Sequence, residues 1–240
     1  MSNDGVRIDV PDAASYYYRD SGMDGRLLET QKKATLEERI TYFETPGRDN
    51  TEETLRLVAE RAKGRGISTI VLASTRGDTA RLAAERFADT GIKLVVVPHQ
   101  FGFGQGQRFP SELVSELERK GHRVHFGTML FHTDTLYGSR SPSIIATVLR
   151  TFCQGMKVCV EIILMAVDGG CVVAGEKVIA VTGTGRGADT AVVAIAASSS
   201  HFSDLHITEI ICKPLETKSG PAGAPRRAEA PRAAAETPRA

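Results

Sequence analysis

Residues 67–79 have the sequence Ile67-Ser-Thr-Ile-Val-Leu-Ala-Ser-Thr-Arg-Gly-Asp-Thr79. The part from Ile67 to Ala73 is an almost continuous aliphatic run, which is typical of a parallel strand whose two faces are both covered by helices. The small and polar residues that follow are typical of a loop that leads from a strand into a helix. This segment therefore predicts an α/β protein with a polar loop at the carboxyl end of an inner strand.

The chain on both sides repeats this alternation of strands and helices. Asn50 is predicted to begin a helix, with Glu53 completing a capping box, and that helix ends at Gly64 and Gly66. Residues 191–197 and 206–212 follow one another without an obvious helix between them. The other predicted helices cover residues 79–88, 110–120 and 143–167, and the other predicted strands cover residues 40–44, 67–73, 92–97, 123–126 and 177–181. We therefore predict a three-layer α/β/α fold with a mostly parallel sheet and a terminal antiparallel strand.

Length and composition indicate a globular protein. The chain has 240 residues, of which 41% are hydrophobic and 25% charged, and its formal net charge is +1. This balance argues against a dedicated surface for nucleic acid or anionic membranes. No secretory signal is visible, and the longest apolar region, residues 158–173, is too short and too interrupted to span a bilayer. The four cysteines form no C-x-x-C pair, so we expect reduced thiols, no metal site and a cytoplasmic location.

Three regions are predicted along the chain. Residues 1–37 form an N-terminal extension whose main apolar feature is Tyr16-Tyr17-Tyr18. Residues 38–215 form the α/β domain. Residues 216–240 are rich in proline, alanine and arginine, and this composition predicts a disordered tail because it cannot bury enough apolar surface to order itself.

The loop after the strand at residues 67–73 is the first candidate binding site. Ser74, Thr75, Arg76, Gly77 and Thr79 combine hydroxyls, a glycine and a guanidinium with the free amides of a helix N-terminus, a set of groups that suits a phosphate. The alternative is that Asp78 or Thr79 only caps the helix while Arg76 is solvated.

A second candidate loop, residues 182–190, is rich in glycine and directly follows a strand. Gly183, Thr184, Gly187 and Thr190 are its candidate ligand contacts, because glycines let the backbone approach a ligand closely. Gly183, Gly185 and Ala188 also fit the G-x-G-x-x-A dinucleotide fingerprint, with Glu209 near the expected distance for a ribose-binding acid. A glycine-rich turn between two strands is the simpler alternative.

Two further loops contain aromatic and titratable side chains. Phe101 and Phe103 offer a stacking surface for a planar ring or a sugar, and His99 comes directly after a strand, although the phenylalanines could equally pack into the core. His132 lies near Asp134 in sequence, which would suit a base and the residue that orients it. His99 and His132 are therefore the two candidates for a catalytic residue, although the sequence alone gives neither of them a specific catalytic role.

Lys157 and Glu161 are one helical turn apart. An ordinary i,i+4 ion pair is the simplest interpretation, and a buried carboxylate at the site is the alternative. The sequence contains no P-loop, nucleophile-elbow or zincin motif, which argues against those three classes of hydrolase.

Several blocks of the sequence, taken together, resemble a family of stand-alone prokaryotic proteins whose fold is that of the C-terminal α/β domain of pyruvate kinase. The resemblance covers roughly residues 38–214. The blocks are Ile40-Thr-Tyr-Phe-Glu-Thr-Pro-Gly47, Asn50-Thr-Glu-Glu-Thr-Leu55, Val71-Leu-Ala-Ser-Thr-Arg-Gly-Asp-Thr-Ala80, Gln154-Gly-Met-Lys-Val-Cys-Val-Glu-Ile162 and Gly187-Ala-Asp-Thr-Ala191.

The resemblance implies a phosphate-binding role for the first loop. In pyruvate kinase this domain holds a regulatory sugar bisphosphate through a Ser/Thr-rich loop whose position Ser74, Thr75, Gly77 and Thr79 match. The usual pattern there is closer to Thr-Ser-Gly-Arg-Thr, so Arg76 and Asp78 depart from it. The catalytic barrel of pyruvate kinase is not recognisable in a chain of this length. Among the stand-alone relatives, the resemblance suggests flavin mononucleotide (FMN) as the ligand to test first.

The leading hypothesis is a domain that binds a phosphorylated small molecule and is not a complete pyruvate kinase. The first alternative is an enzyme, either flavin-dependent or acting on a phosphorylated metabolite. The second is a regulatory or structural subunit that uses its two terminal regions as contacts. The sequence leaves a homo-oligomer open.

Overall fold

The computed structural model of the chain describes residues 35–217. A compact unit begins at Arg39. The Tyr16–Tyr18 segment and nearly all of the Pro/Ala/Arg-rich region lie outside the described residues. Within the described part, no helix is both long enough and apolar enough to cross a lipid bilayer.

Within residues 35–217, seven strands form one sheet with the order β1-β7-β6-β5-β2-β3-β4. All neighbouring strands are parallel except that β6 runs antiparallel to both β5 and β7. The strands are β1 (Thr41–Phe43), β2 (Thr69–Ala73), β3 (Lys93–Val97), β4 (Arg123–Val124), β5 (Lys177–Thr182), β6 (Thr190–Ile195) and β7 (His206–Pro214). The prediction of a mostly parallel sheet with an antiparallel strand late in the chain is confirmed.

Helices cover both faces of this sheet. The helices are α1 (Thr51–Arg65), α2 (Asp78–Arg86), α3 (Ser111–Arg119), α4 (Asp134–Tyr137), α5 (Ser141–Arg150) and α6 (Gln154–Asp168). Helices α1, α2 and α3 pack on one face, where they bury Ile70 and Leu72 of β2. Helix α6 packs on the other face, where it buries Val71, and α5 lies against α6. Because side chains alternate across a strand, an inner strand between two helical layers needs apolar residues on both faces, and β2 has them from Ile70 to Ala73.

The prediction of one long helix over residues 143–167 is wrong, because the chain breaks between α5 and α6. Cys153 is extended, and its Sγ accepts a hydrogen bond from the Met156 N–H at 3.3 Å, which caps α6. A Cβ atom on Gly155 would overlap the Thr190 hydroxyl, and Thr182 donates a hydrogen bond to the Gly155 carbonyl at 2.8 Å. Close packing of the first turn of α6 against β5 and β6 therefore fixes where this helix begins.

The predicted capping box at Asn50 is also wrong. A short 3-10 turn, Arg48–Asn50, precedes α1, so the Asn50 backbone is already helical. An N-cap that accepts the helix amides needs an extended backbone. The Asn50 side chain instead donates to the Thr45 carbonyl at 2.8 Å, and Glu53 pairs with Arg56.

The order of strands reverses between β2 and β5. From β2 the chain continues outward through β3 to β4, and it then returns to place β5 on the opposite side of β2. In open α/β sheets, ligands bind at such a reversal, beyond the carboxyl ends of the strands. The loops after β2 and β5 are therefore adjacent at the position where this architecture favours a binding site.

Candidate functional site

A cavity of about 460 Å³ opens at the carboxyl ends of β2, β3 and β5. Its walls come from the loops that follow these three strands, from the segment before α4 and from one face of α6. The lining residues are Ala73, Ser74, Thr75, Arg76, Asp78, Thr79, Val97, Pro98, His99, Phe103, Arg108, Met129, His132, Gln154, Lys157, Val158, Glu161, Ile162, Met165, Gly183, Gly185, Arg186 and Gly187. The cavity thus brings together residues from all four loops that the sequence singled out.

The turn after β2 leaves helix amides available beside the cavity. Gly77 is the N-cap of α2 and has a positive φ of 90°. Gly77 does not line the cavity, since it packs against Leu113 and Pro110 of the neighbouring helix start. No side chain caps α2 from the N-cap position, and Ser74 Oγ accepts the hydrogen bond from the Ala80 N–H at 3.3 Å. Capping by Asp78 or Thr79, the alternative considered for this loop, is therefore not observed.

The Thr75 hydroxyl is held so that its own proton is free to point into the cavity. His99 contacts Thr75 Oγ1 through Nε2 at 3.3 Å and Arg108 Nη2 through Nδ1 at 3.1 Å. A guanidinium can only donate, so Nδ1 accepts, and the single imidazole proton of a neutral His99 lies on Nε2. Burial, and then the charge of Arg108, lowers the pKa of His99, which agrees with a neutral ring. Thr75 therefore accepts from His99 and has its hydroxyl proton left to donate.

The charge of the lining is predominantly positive. Arg76, Arg108, Arg186 and Lys157 face two carboxylates, Asp78 and Glu161, the second of which is paired with Lys157. The whole chain has a formal charge of only +1, so this excess of arginine is a local feature. Exposed guanidiniums beside free hydroxyls and helix amides favour an anionic ligand group. Asp78 is the one lining carboxylate whose charge opposes that attraction.

The loop between β5 and β6 closes one side of the cavity. Gly183, Gly185, Arg186 and Gly187 line it. The dinucleotide interpretation of this loop fails because the strand β6 follows it, where a Rossmann fingerprint requires a helix N-terminus. Glu209, the candidate ribose-binding acid, pairs instead with Arg61 and Arg65 on α1.

A buried carboxylate holds this loop in place. Asp189 has no exposed surface and accepts hydrogen bonds from the Gly47 N–H and the Thr184 N–H, both at 3.0 Å, and from the Thr190 hydroxyl at 2.7 Å. The structure places Thr184 and Thr190 in this network and outside the cavity lining, although both were candidate ligand contacts. Their role in the fold is to fix the loop through Asp189.

The two candidate phenylalanines have different positions. Phe103 lines the cavity, and its ring contacts His99 and His132 edge-on, with centroid distances of 4.9 and 5.2 Å. Phe101 is 66% exposed and packs against Phe126 outside the cavity. Only Phe103 is therefore placed to cover a bound ring or sugar.

Lys157 and Glu161 form a buried polar cluster with His132. The Lys157 side chain pairs with Glu161 Oε2 and lies 3.1 Å from His132 Nε2, while Glu161 Oε1 accepts from the Phe131 N–H at 2.8 Å. Burial lowers the pKa of Lys157, and the charge of Glu161 opposes that shift. The pair considered from the sequence is thus real, and it is also part of the site. Helical periodicity is the sequence feature that could have indicated this, because Lys157, Glu161 and four other α6 residues lie on the one face of the helix that lines the cavity.

Neither candidate catalytic histidine presents a free basic nitrogen. In His99 the basic Nδ1 accepts from Arg108. His132 is exposed as a residue, but its Nε2 contacts the buried ammonium of Lys157, and burial followed by that charge lowers its pKa. Asp134 does not orient His132 by a hydrogen bond, since its Oδ1 accepts from the Ser143 N–H at 3.1 Å. This arrangement suits ligand binding better than general-base catalysis.

Comparison with protein families gives a match that includes most of this site. The family described as "Pyruvate kinase, alpha/beta domain" matches residues 52–194 of the 240-residue chain. The matched region runs from the first turn of α1 into β6, so it contains the loops after β2, β3 and β5 and the whole of α6. The match covers more than half of the sequence and agrees with the observed sheet. The chain therefore belongs to the pyruvate kinase alpha/beta domain family.

Proposed function

We propose that this chain binds a phosphorylated small molecule, either FMN or a sugar phosphate, in the cavity between the loops after β2 and β5. The proposal is for binding and not for pyruvate kinase activity. The observation that carries it is that Arg76, Arg108 and Arg186 line the same cavity as the hydroxyl-rich N-terminus of α2, at the reversal of strand order.

The phosphoryl group is assigned to the turn at residues 74–79. Its donors there would be the Thr75 hydroxyl, the Asp78 and Thr79 amides at the start of α2, and the Arg76 guanidinium. Charge-assisted hydrogen bonds of this kind are the strongest that a small polar site offers. The positive end of the α2 dipole favours the same charge.

The rest of the ligand is assigned to the part of the cavity beyond His99. Phe103, Val158, Ile162 and Met165 give that part apolar surface, which would cover a planar ring or the carbon face of a sugar. The family membership supports a phosphate ligand by analogy only. FMN is included because the resemblance to the stand-alone relatives suggests it, and the apolar surface is compatible with its ring.

A charge reversal tests the phosphate site. Arg76→Glu should weaken binding of FMN, followed by its fluorescence, and of ribose 5-phosphate, followed by calorimetry, by roughly 10- to 100-fold, as expected for the loss of one charge-assisted hydrogen bond. Arg119→Glu is the matched control, because Arg119 is exposed on α3 outside the cavity lining and the change in net charge is the same. Equal affinities of the two variants for both probes would refute the assignment.

A further inference from the structure

Helix α5 has an apolar outer face in addition to the face that packs against α6. Ile144, Val148 and Phe152 are four residues apart, so they lie in one row along the helix and its final turn. Within residues 35–217, all three side chains are exposed, whereas Ala146 on the inner face is buried against α6. A surface helix is ordinarily polar on its outer side, and a helix that is apolar all round is normally covered.

The polar residues of this outer face need no partner from outside. Thr147 Oγ1 donates to the Ser143 carbonyl at 2.8 Å, and Thr151 Oγ1 donates to the Val148 carbonyl at 2.6 Å. Both hydroxyl protons are therefore used within the helix. No charged residue stands between Arg140 and Arg150 in the sequence. A covering surface therefore has no hydrogen bond or charge to satisfy along the middle of α5, which suits an apolar partner.

Two exposed side chains of α4 lie close to the start of this face. The Ser143 N–H donates to Asp134 Oδ1 at 3.1 Å, which ties α4 to the first turn of α5. Both large apolar residues of α4 are exposed. Together with the row on α5 they form a surface that we call the α5 patch, which consists of Leu136, Tyr137, Ile144, Val148 and Phe152.

The area of the α5 patch matches what a stable dimer needs. Its five side chains are between 52% and 72% exposed. Full burial removes about 150–250 Å² from an aromatic side chain and about 60–120 Å² from an aliphatic one, so the patch offers on the order of 400 Å² of apolar surface. A stable interface buries about 600–1,000 Å² per partner, of which roughly 57–65% is apolar, and therefore takes about 350–650 Å² of apolar surface from each copy.

We propose that the α5 patch is the contact between two copies of this chain related by a two-fold axis. A two-fold interface brings the same patch of both copies together, and a patch without charges opposes no like charges when it meets itself. With the two α5 helices antiparallel, Val148 at the middle of the row meets its own counterpart. Ile144 then faces Phe152 of the partner subunit.

A charge at the middle of the row tests this proposal. The wild-type 240-residue chain should sediment as a dimer, since interfaces of this size have dissociation constants of about 1 μM or below. Val148→Glu places two carboxylates face to face and should raise the dissociation constant roughly 100-fold or more. Val173→Glu is the matched control, because Val173 is equally apolar, exposed and outside the patch, and this variant should remain dimeric. Thermal melts check that both variants are folded.

Cysteine cross-linking tests the predicted pairing directly. In a Cys171→Ser background, Val148→Cys should give a covalent dimer with a short bismaleimide, and Val173→Cys should not. A wild-type chain that stays monomeric at about 100 μM would overturn the proposal. If Val148→Cys in that monomer reacted with a maleimide far more slowly than Val173→Cys, another part of the same chain would cover the patch instead. A dimer that survives in folded Val148→Glu would also overturn the proposal, since the two copies would then meet through a different face.

Discussion

The turn that forms the proposed phosphate site depends on the absence of a side chain at Gly77. This residue has a φ of 90°, and a Cβ atom there would overlap Leu113 Cδ2 and lie 3.4 Å from Pro110 Cδ. Leu113 has no exposed surface, so its methyl group has little room to move. The left-handed conformation of an alanine costs about 1–2 kcal/mol, and overpacking a filled core costs about 1–3 kcal/mol. Gly77→Ala should therefore lower the free energy of unfolding by about 2–5 kcal/mol.

Gly121→Ala separates the two contributions. Gly121 has a φ of 83°, and nothing lies within 4 Å of the position of its Cβ. This variant should lose only the conformational part, about 1–2 kcal/mol. Urea denaturation of both variants measures the difference in their free energies of unfolding, provided that the slope of free energy against urea concentration is the same in both. If the two substitutions destabilise equally, contact with Leu113 does not hold the turn.

Three further predictions concern the buried polar groups of the site. Asp189→Asn removes the charge of a buried acceptor of three hydrogen bonds and puts an NH2 group in place of the oxygen that accepts from the Thr190 hydroxyl, so it should lower the free energy of unfolding by about 1–3 kcal/mol in urea titrations. An unchanged value would mean that Asp189 does not hold the loop between β5 and β6. Lys157→Met leaves Glu161 buried and unpaired and should cost about 3–5 kcal/mol, most of which Lys157→Met/Glu161→Gln should restore; a double variant no more stable than the single one would contradict the pairing. Burial, and then the charge of Arg108, lowers the pKa of His99 below 6.5. At acidic pH the unfolded chain therefore binds more protons than the folded one. Because of this difference, the free energy of unfolding should fall as the pH decreases through about 6.5. His99→Gln should reduce the slope of that dependence between about pH 7.5 and 5.5, with the remainder due to His122, His125 and His132, whose pKa values burial also lowers. An equally steep dependence in the variant would show that His99 does not contribute to it.

The strands of the sheet could be predicted from the sequence because each is indicated by a local apolar run, and such runs recur along the chain. The run from Ile70 to Ala73 is apolar at every position, and the structure buries alternate residues of β2 in two separate clusters. The apolar segments after residue 190 lack a helix between them, which predicted the reversal that β6 makes. The ends of the helices were harder to predict. The break between α5 and α6 at Cys153, for example, is fixed by close contact of Gly155 with Thr190, a residue 35 positions away in the sequence.

The composition of the site was partly visible from the sequence, and its geometry was not. Strand-end loops must meet at one edge of a parallel sheet, so Thr75, His99 and Gly183 could be grouped in advance. The choice between Phe101 and Phe103 could not be made, because a glycine-rich loop has no periodicity that tells which side chain turns inward. Lys157 was identifiable only as half of an ion pair, since burial of a helical charge depends on elements packed from elsewhere in the chain.

Because β6 runs antiparallel to β5, the loop that joins them borders the cavity without taking part in the strand pairing. Because β5 ends and β6 begins at the same edge, the segment from Gly183 to Asp189 leaves the sheet and re-enters it beside the cavity. Its two ends are fixed by Thr182, Asp189 and Thr190, while Gly185 and Arg186 at its tip are exposed. Insertions or exchanges at that tip would resize the entrance without shifting the pairing of any strand.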